Sequence, residues 1–346
     1  MRKYTTFFYL LLIFLSGCID PIDFKFDGQT QHLVVEAKFT NEASINYVKL
    51  SKSSPYDYPY NIFVEQATVY ITSKEGEFFP FRHIDNGYYL PVGEAKGETG
   101  GTYTLHIENE GKKYQSNPVT IQPPVKIDSV YFEYAEVWVA EKGKKEKELK
   151  PGYRVLVDYV DPEEEDNFYR WSYNSEFEVH TQPWDYVETS CLGCPRPDPK
   201  KCCSICYIEE EGELLPVNND RLSDGKKVIA QEVFFIPFEK YLNYKYKLQL
   251  YQYSTTEEAF NFFKVIKEQS ESTGGIFDPP PSEAKGNIFN IDDEGEQVLG
   301  IFDAAGVSRR DITLTFDEIP YYKPPFVYPD DCRLMENSTT EKPENW

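Results

Sequence analysis

Residues 102–116 read TYTLHIENEGKKYQS. Tyr103, Leu105 and Ile107 alternate with Thr104, His106 and Glu108, the period of a strand with one face in a core. Glu110-Gly111 supplies a turn, and KKYQS follows it. The same signal repeats upstream in HLVVEAKF (32–39), NYVKLS (46–51), ATVYITS (67–73) and FFPFRHIDNGYYLP (78–91), the last with an Asn86-Gly87 turn. PVTI (118–121) closes the set. Short strands at this spacing predict an immunoglobulin-like β-sandwich over residues 31–122. Tyr103 fits either a tyrosine corner or an ordinary core tyrosine.

Pro123-Pro124 marks a stiff junction. Beyond it KIDSVYFEY, AEVWVA, YRVLVDYV, NFYRWSYNSEFEV, KKVIAQEVFFIPF and YKYKLQLYQYS predict a second β-rich domain over 125–329. One helix is expected from Thr255 to about Gln269. Ser254 or Thr255 would be its N-cap, and Ala259, Phe262, Phe263 and Ile266 its apolar stripe. GNIFNI, QVLGIF and DITLTF supply closing strands. Residues 330–346, rich in Glu, Asn, Ser and Thr, are expected to be a flexible tail pinned only at Cys332. The predicted class is mainly β, with one helix and a disulfide-stapled loop.

The N-terminus sets the compartment. Arg2 and Lys3 precede an apolar run, Phe7 to Leu15, too short to span a bilayer. Leu15-Ser16-Gly17-Cys18 matches the bacterial lipobox, so residues 1–17 are expected to be a lipoprotein signal peptide. Cys18 would be the lipidated residue and 18–30 the tether. Several acyl chains make a stable anchor. Asp20 and Asp23 are candidate parts of a surface-export signal, interrupted by Ile19 and Pro21. They favour the cell surface, with the periplasmic face of the outer membrane as the alternative.

The chain carries 36 basic and 58 acidic residues, net −22, which argues against nucleic acid and against adsorption to anionic lipid. Its 27 Tyr and 24 Phe suit pleated, half-buried surfaces. Six cysteines follow Cys18: Cys191, Cys194, Cys202, Cys203 and Cys206 in an insertion over 188–212, and Cys332. The two C-x-x-C pairs have zinc-knuckle spacing, but outside the cytoplasm six cysteines read first as disulfides. Sequence selects no pairing among them. Asp158, Asp161, Glu163, Glu164, Glu165 and Asp166 could offer hard oxygens to calcium, yet a solvated turn is the favoured reading. NIDDEGE begins like a calcium loop and fails at its twelfth position, Ile301. No metal ligand or cofactor is therefore assigned. His32, His83, His106 and His180 fall singly, and H-E-x-x-H, G-x-S-x-G and phosphate-loop signatures do not occur. A non-enzymatic protein is the expectation.

LVVEA, the junction GGTYTLHIENEGKKYQSNPVTIQPPVKIDSVYF, DPEEEDNFYRW and GNIFN with VLGIFDAAGV, together with the lipobox, resemble a known family. It is the Bacteroidota lipoprotein family classed as domain of unknown function forty-two forty-nine. The resemblance implies an outer-membrane lipoprotein, often encoded beside TonB-dependent receptor-like proteins, and carries no site residues. It makes an accessory or ligand-gathering subunit of such a transporter the first functional expectation. A free-standing adhesin or glycan-binding lipoprotein is the alternative, and an envelope hydrolase a third.

Overall fold

The computed structural model describes residues 31–54, 60–140, 147–163, 166–212, 216–221, 223–238, 245–271, 282–315, 330–344 and 346. Before the proline junction run Leu33–Thr40 (β1), Tyr47–Lys52 (β2), Ile62–Phe63 (β3), Thr68–Ser73 (β4), Phe78–His83 (β5), Tyr88–Pro91 (β6), Thr102–Asn109 (β7), Lys112–Ser116 (β8) and Val119–Thr120 (β9). After it come Ile127–Ala140 (β10), Lys147–Val160 (β11), Phe168–His180 (β12), Val187–Glu188 (β13), Arg196–Pro197 (β14), Ile205–Gly212 (β15), Val217–Asn219 (β16), Lys227–Pro237 (β17) and Lys245–Thr255 (β18). Helix α1 spans Glu257–Glu271, and Ile288–Asn290 (β19), Leu299–Thr315 (β20) and Ser338–Thr339 (β21) follow. The protein is mainly β, with a single α-helix among the described residues, as its strand periods predict.

One hydrogen-bonded path runs β19-β8-β7-β4-β5-β6-β2-β1-β20-β18-β12-β15-β21. Its first part curls on itself. Four strands separate β7 from β1 along this path, yet the rings of Tyr103 and Phe39 lie 4.9 Å apart. The curl encloses a core of Val35, Leu50, Ile71, Leu105 and Ile121. Tyr103 is buried there, and its hydroxyl accepts the Glu98 backbone N–H at 2.7 Å, the upstream bond of a tyrosine corner.

A second core lies between β12, β18 and the far end of β20 on one side and the separate sheet β10-β11-β17 on the other. Trp171, Tyr169, Val155, Val157 and Leu250 fill it. β20 serves both cores. Phe302 and Ala304 belong to the first, while Ile312 and Leu314 pack on the second. All four are even-numbered residues of one strand, so both cores lie on the same side of the sheet.

This arrangement corrects the expected division at residues 122 and 125. The first core is completed by Ile288, Phe302 and Ala304, which come from beyond the second β-rich region. β1 pairs in parallel with β20, and β8 antiparallel with β19. Local periodicity shows that a strand has a buried face; it does not name the partner across its edge.

The expected flexible tail is also corrected. Cys332 is fully buried, β21 pairs with β15, and Trp346 meets Tyr207 edge-on at 5.2 Å while its Nε1 donates to Glu178. A polar composition hid these apolar anchors. The helix starts one residue later than the cap candidates allow. Thr256 Oγ1 accepts from Ala259 N, while the Thr255 hydroxyl is committed to Asp303.

The opposite face of the sheet holds a buried polar belt beside α1. Arg170 Nε donates to Asp303 at 2.7 Å, with 3% and 1% of the two side chains exposed. Thr255 Oγ1 donates to the same carboxylate at 2.6 Å. The guanidinium lies 3.8 Å from the Tyr253 ring centre and 4.7 Å from that of Phe263. Removing one partner of such a sealed pair leaves a buried charge. Asp303→Ala should cost about 3–5 kcal/mol in urea unfolding. Asp311→Ala, which breaks the exposed Arg309 pair, should cost under about 1 kcal/mol.

Candidate functional site

Alternation along the central strands builds a trough on the sheet face away from both cores. Glu36 and Lys38 of β1, Tyr47 of β2, Tyr88 of β6, and Tyr251 and Tyr253 of β18 line a cavity of about 400 Å³. Asn174 and Glu211 are shared with a neighbouring cavity of about 450 Å³ that continues over Lys247, Arg309 and Asp311. Cations lie on the tyrosine rings. Lys49 Nζ is 4.5 Å from the Tyr88 centroid, Lys38 Nζ is 4.8 Å from that of Tyr47, and Arg309 is 5.9 Å from that of Tyr251. Glu36 accepts the Tyr47 hydroxyl. The trough therefore offers aromatic faces, hydroxyls and both signs of charge, suited to a polar ligand with flat apolar patches.

The cysteines form three disulfides. Cys191 joins Cys194, Cys202 joins Cys203, and Cys206 joins Cys332 across 126 residues. The shared C-x-x-C spacing misleads at Cys203 and Cys206, whose sulfurs go to different partners. Cys206 and Cys332 are fully buried in the second core, so this bridge ties the C-terminal segment to β15. The insertion over 188–212 is more than a loop, because β15 pairs with β12 from His180↔Ile205 to Tyr173↔Gly212.

The other candidate residues separate by role. Cys18, Asp20 and Asp23 lie outside the described residues, as do Glu164 and Glu165. Asp158 accepts from Ala230 N, Ser129 Oγ and Tyr131 Oη, which hold its carboxyl below the usual range. Asp161 departs from the expected solvated turn, with 1% of it exposed. Burial pushes its carboxyl up, against the hydrogen bond from Tyr169. In NIDDEGE, Asn290 and Asp293 accept backbone N–H groups of their own loop, and Glu296 is bound by Lys112, Asn290 and Tyr114. The histidines meet four separate partners. His32 bonds the Gln297 carbonyl, His83 packs on Tyr89, His106 bonds Thr72 and His180 bonds Glu178.

The family model described as a domain of unknown function, DUF4249, matches residues 19–311. The chain belongs to that family. No curated protein matches it. Two of the quoted segments meet in the polar belt and the turns beside it. Asp161, Asn167, Tyr169 and Arg170 come from DPEEEDNFYRW, and Asp303 comes from the FDAAGV stretch. The sequence does not mark the trough as a site. The alternation of Tyr251 and Tyr253 with Leu250 and Gln252 shows a second face of β18 and no more.

Opening the long-range bridge should be costly. Cys206→Ala with Cys332→Ala should lose about 2–5 kcal/mol in denaturant unfolding. Non-reducing peptide mapping of the wild type should recover the three pairings and no stoichiometric zinc.

Proposed function

We propose that this protein is a non-enzymatic, lipid-anchored outer-membrane protein. In this reading it gathers a ligand in the tyrosine-lined trough and passes it to a TonB-dependent receptor-like barrel. The trough carries the reading. It is a preformed concavity on a stiff sheet, and its aromatic and charged groups are placed by strands rather than by loops. Leu15-Ser16-Gly17-Cys18 supports the anchor, because the thiol accepts the lipid. The acidic balance of the chain keeps its body off an anionic bilayer, leaving the lipid as the attachment. Among the described residues no helix is long and apolar enough to cross a membrane.

A second reading, a free-standing glycan-binding or adhesive lipoprotein, is favoured by the same tyrosines, since flat rings stack on the apolar faces of sugars. Affinity capture from native membranes in mild detergent separates the two. The transporter reading expects a barrel protein in near-equal amount, lost when Tyr47→Ala and Tyr88→Ala are combined in a folded variant. Trough-dependent glycan binding with no barrel recovered supports the adhesin.

Cys18→Ala should move the protein from the membrane fraction to the soluble fraction and abolish its labelling by fatty acid. Protease added to intact cells should digest the wild type, and Asp20→Ala with Asp23→Ala should protect it. Protection of the wild type until lysis would place it on the periplasmic face.

A further inference from the structure

We propose that Asp161, Asp220 and Asp224 form a calcium-binding site at the end of the second body, where β11 and β16 finish and β12 and β17 begin. Two turns far apart in sequence meet here. One carboxylate oxygen from each residue lies within 4.8 Å of the other two. That is the span of two oxygens facing each other across a calcium ion at about 2.4 Å. Asp161 is 1% and Asp220 4% exposed, so two of the three are sealed from water.

A separate observation points to a missing ligand. Asp161 Oδ1 accepts the Tyr169 hydroxyl at 2.5 Å and the Gly225 backbone N–H lies beside the carboxyl, yet Oδ2 is buried and makes no hydrogen bond of good geometry. Buried carboxylate oxygens are costly without a partner, and like charges sealed together add to that cost. A divalent cation answers both.

The surrounding backbone holds the carboxylates in place. Asp161 N donates to the Lys226 carbonyl at 3.0 Å, and Ser223 N and Asp224 N donate to the Asp220 carbonyl at 2.7 and 2.9 Å. Asp220 Oδ2 accepts the Asn167 backbone N–H at 2.7 Å. Gly225 adopts φ +67°, and a Cβ there would fall 2.2 Å from Glu163 Cγ. Glu163 thus lies against the same turn and brings a fourth carboxylate beside the site. All the donors are hard oxygens on an irregular frame. Calcium accepts such a set more readily than magnesium, which demands near-ideal octahedral geometry.

The full chain, stripped with chelator and dialysed, is titrated with calcium chloride by calorimetry and by thermal unfolding. One site per chain and a rise of several degrees in Tm are expected, with magnesium giving less. Asp224→Asn, at the exposed member, should weaken calcium binding about tenfold or more, whereas Asp166→Asn should leave it unchanged. Terbium supplies a readout independent of any variant. Excitation of Tyr169 and its aromatic neighbours should sensitise its emission, and calcium should quench that emission by displacement. A wild type that takes up neither ion, or an Asp224→Asn protein that binds calcium as the wild type does, overturns the proposal.

Discussion

β1 and β20 run in parallel register from Val34↔Leu299 to Thr40↔Ala305, and almost the whole second body lies between them in sequence. Parallel neighbours cannot be joined by a tight turn, so this contact forms only once distant parts of the chain have met. It also closes the edge that the first curled sheet would otherwise expose. The fit is close. Gly300 has φ +98°, and a Cβ there would stand 1.8 Å from the Val35 carbonyl oxygen. Only glycine lets the two backbones approach in this way.

From that join the rest follows by alternation. Once β20 lies between β1 and β18, its even-numbered residues supply both cores, and its odd-numbered residues must face the other way. Asp303 is one of these, with 1% of it exposed. Arg170 of β12 and Thr255 of β18 reach its buried carboxylate, and Tyr253 and Phe263 cover the guanidinium. A buried ion pair is weak evidence for added stability, but here it selects register. A one-residue slip of β12 or β18 would carry Arg170 or Thr255 to the core side. The trough begins where this belt reaches solvent, so the candidate binding face and the register of the central strands depend on the same residues.

Much of this was legible in the chain. Strand existence, the helix and the mainly β class follow from period and turn chemistry, because these are local properties. Partnership is not local. HLVVEAKF announces a half-buried strand but not that QVLGIF will pair with it. The Glu- and Asn-rich C-terminal segment looks unfoldable until Cys332 and Trp346 are seen to find Cys206 and Tyr207. In the sequence Asp161 is one of many acids in an expected solvated turn. The hydroxyl of Tyr169, eight residues on, and the turn after β16 draw it inside. Cys203 and Cys206 share the spacing of a pair, while topology sends their sulfurs to different partners.

Hydrogen exchange of the intact protein under graded denaturant tests the central claim most directly, that the two bodies are one cooperative structure locked by β20. Amides of residues 34–40 and 299–305 should exchange through the same opening as those of β12 and β18, with equal free energy and equal denaturant dependence. Exchange of β1 through β9 in a separate, lower-energy opening, with residues 299–305 still protected, would contradict it.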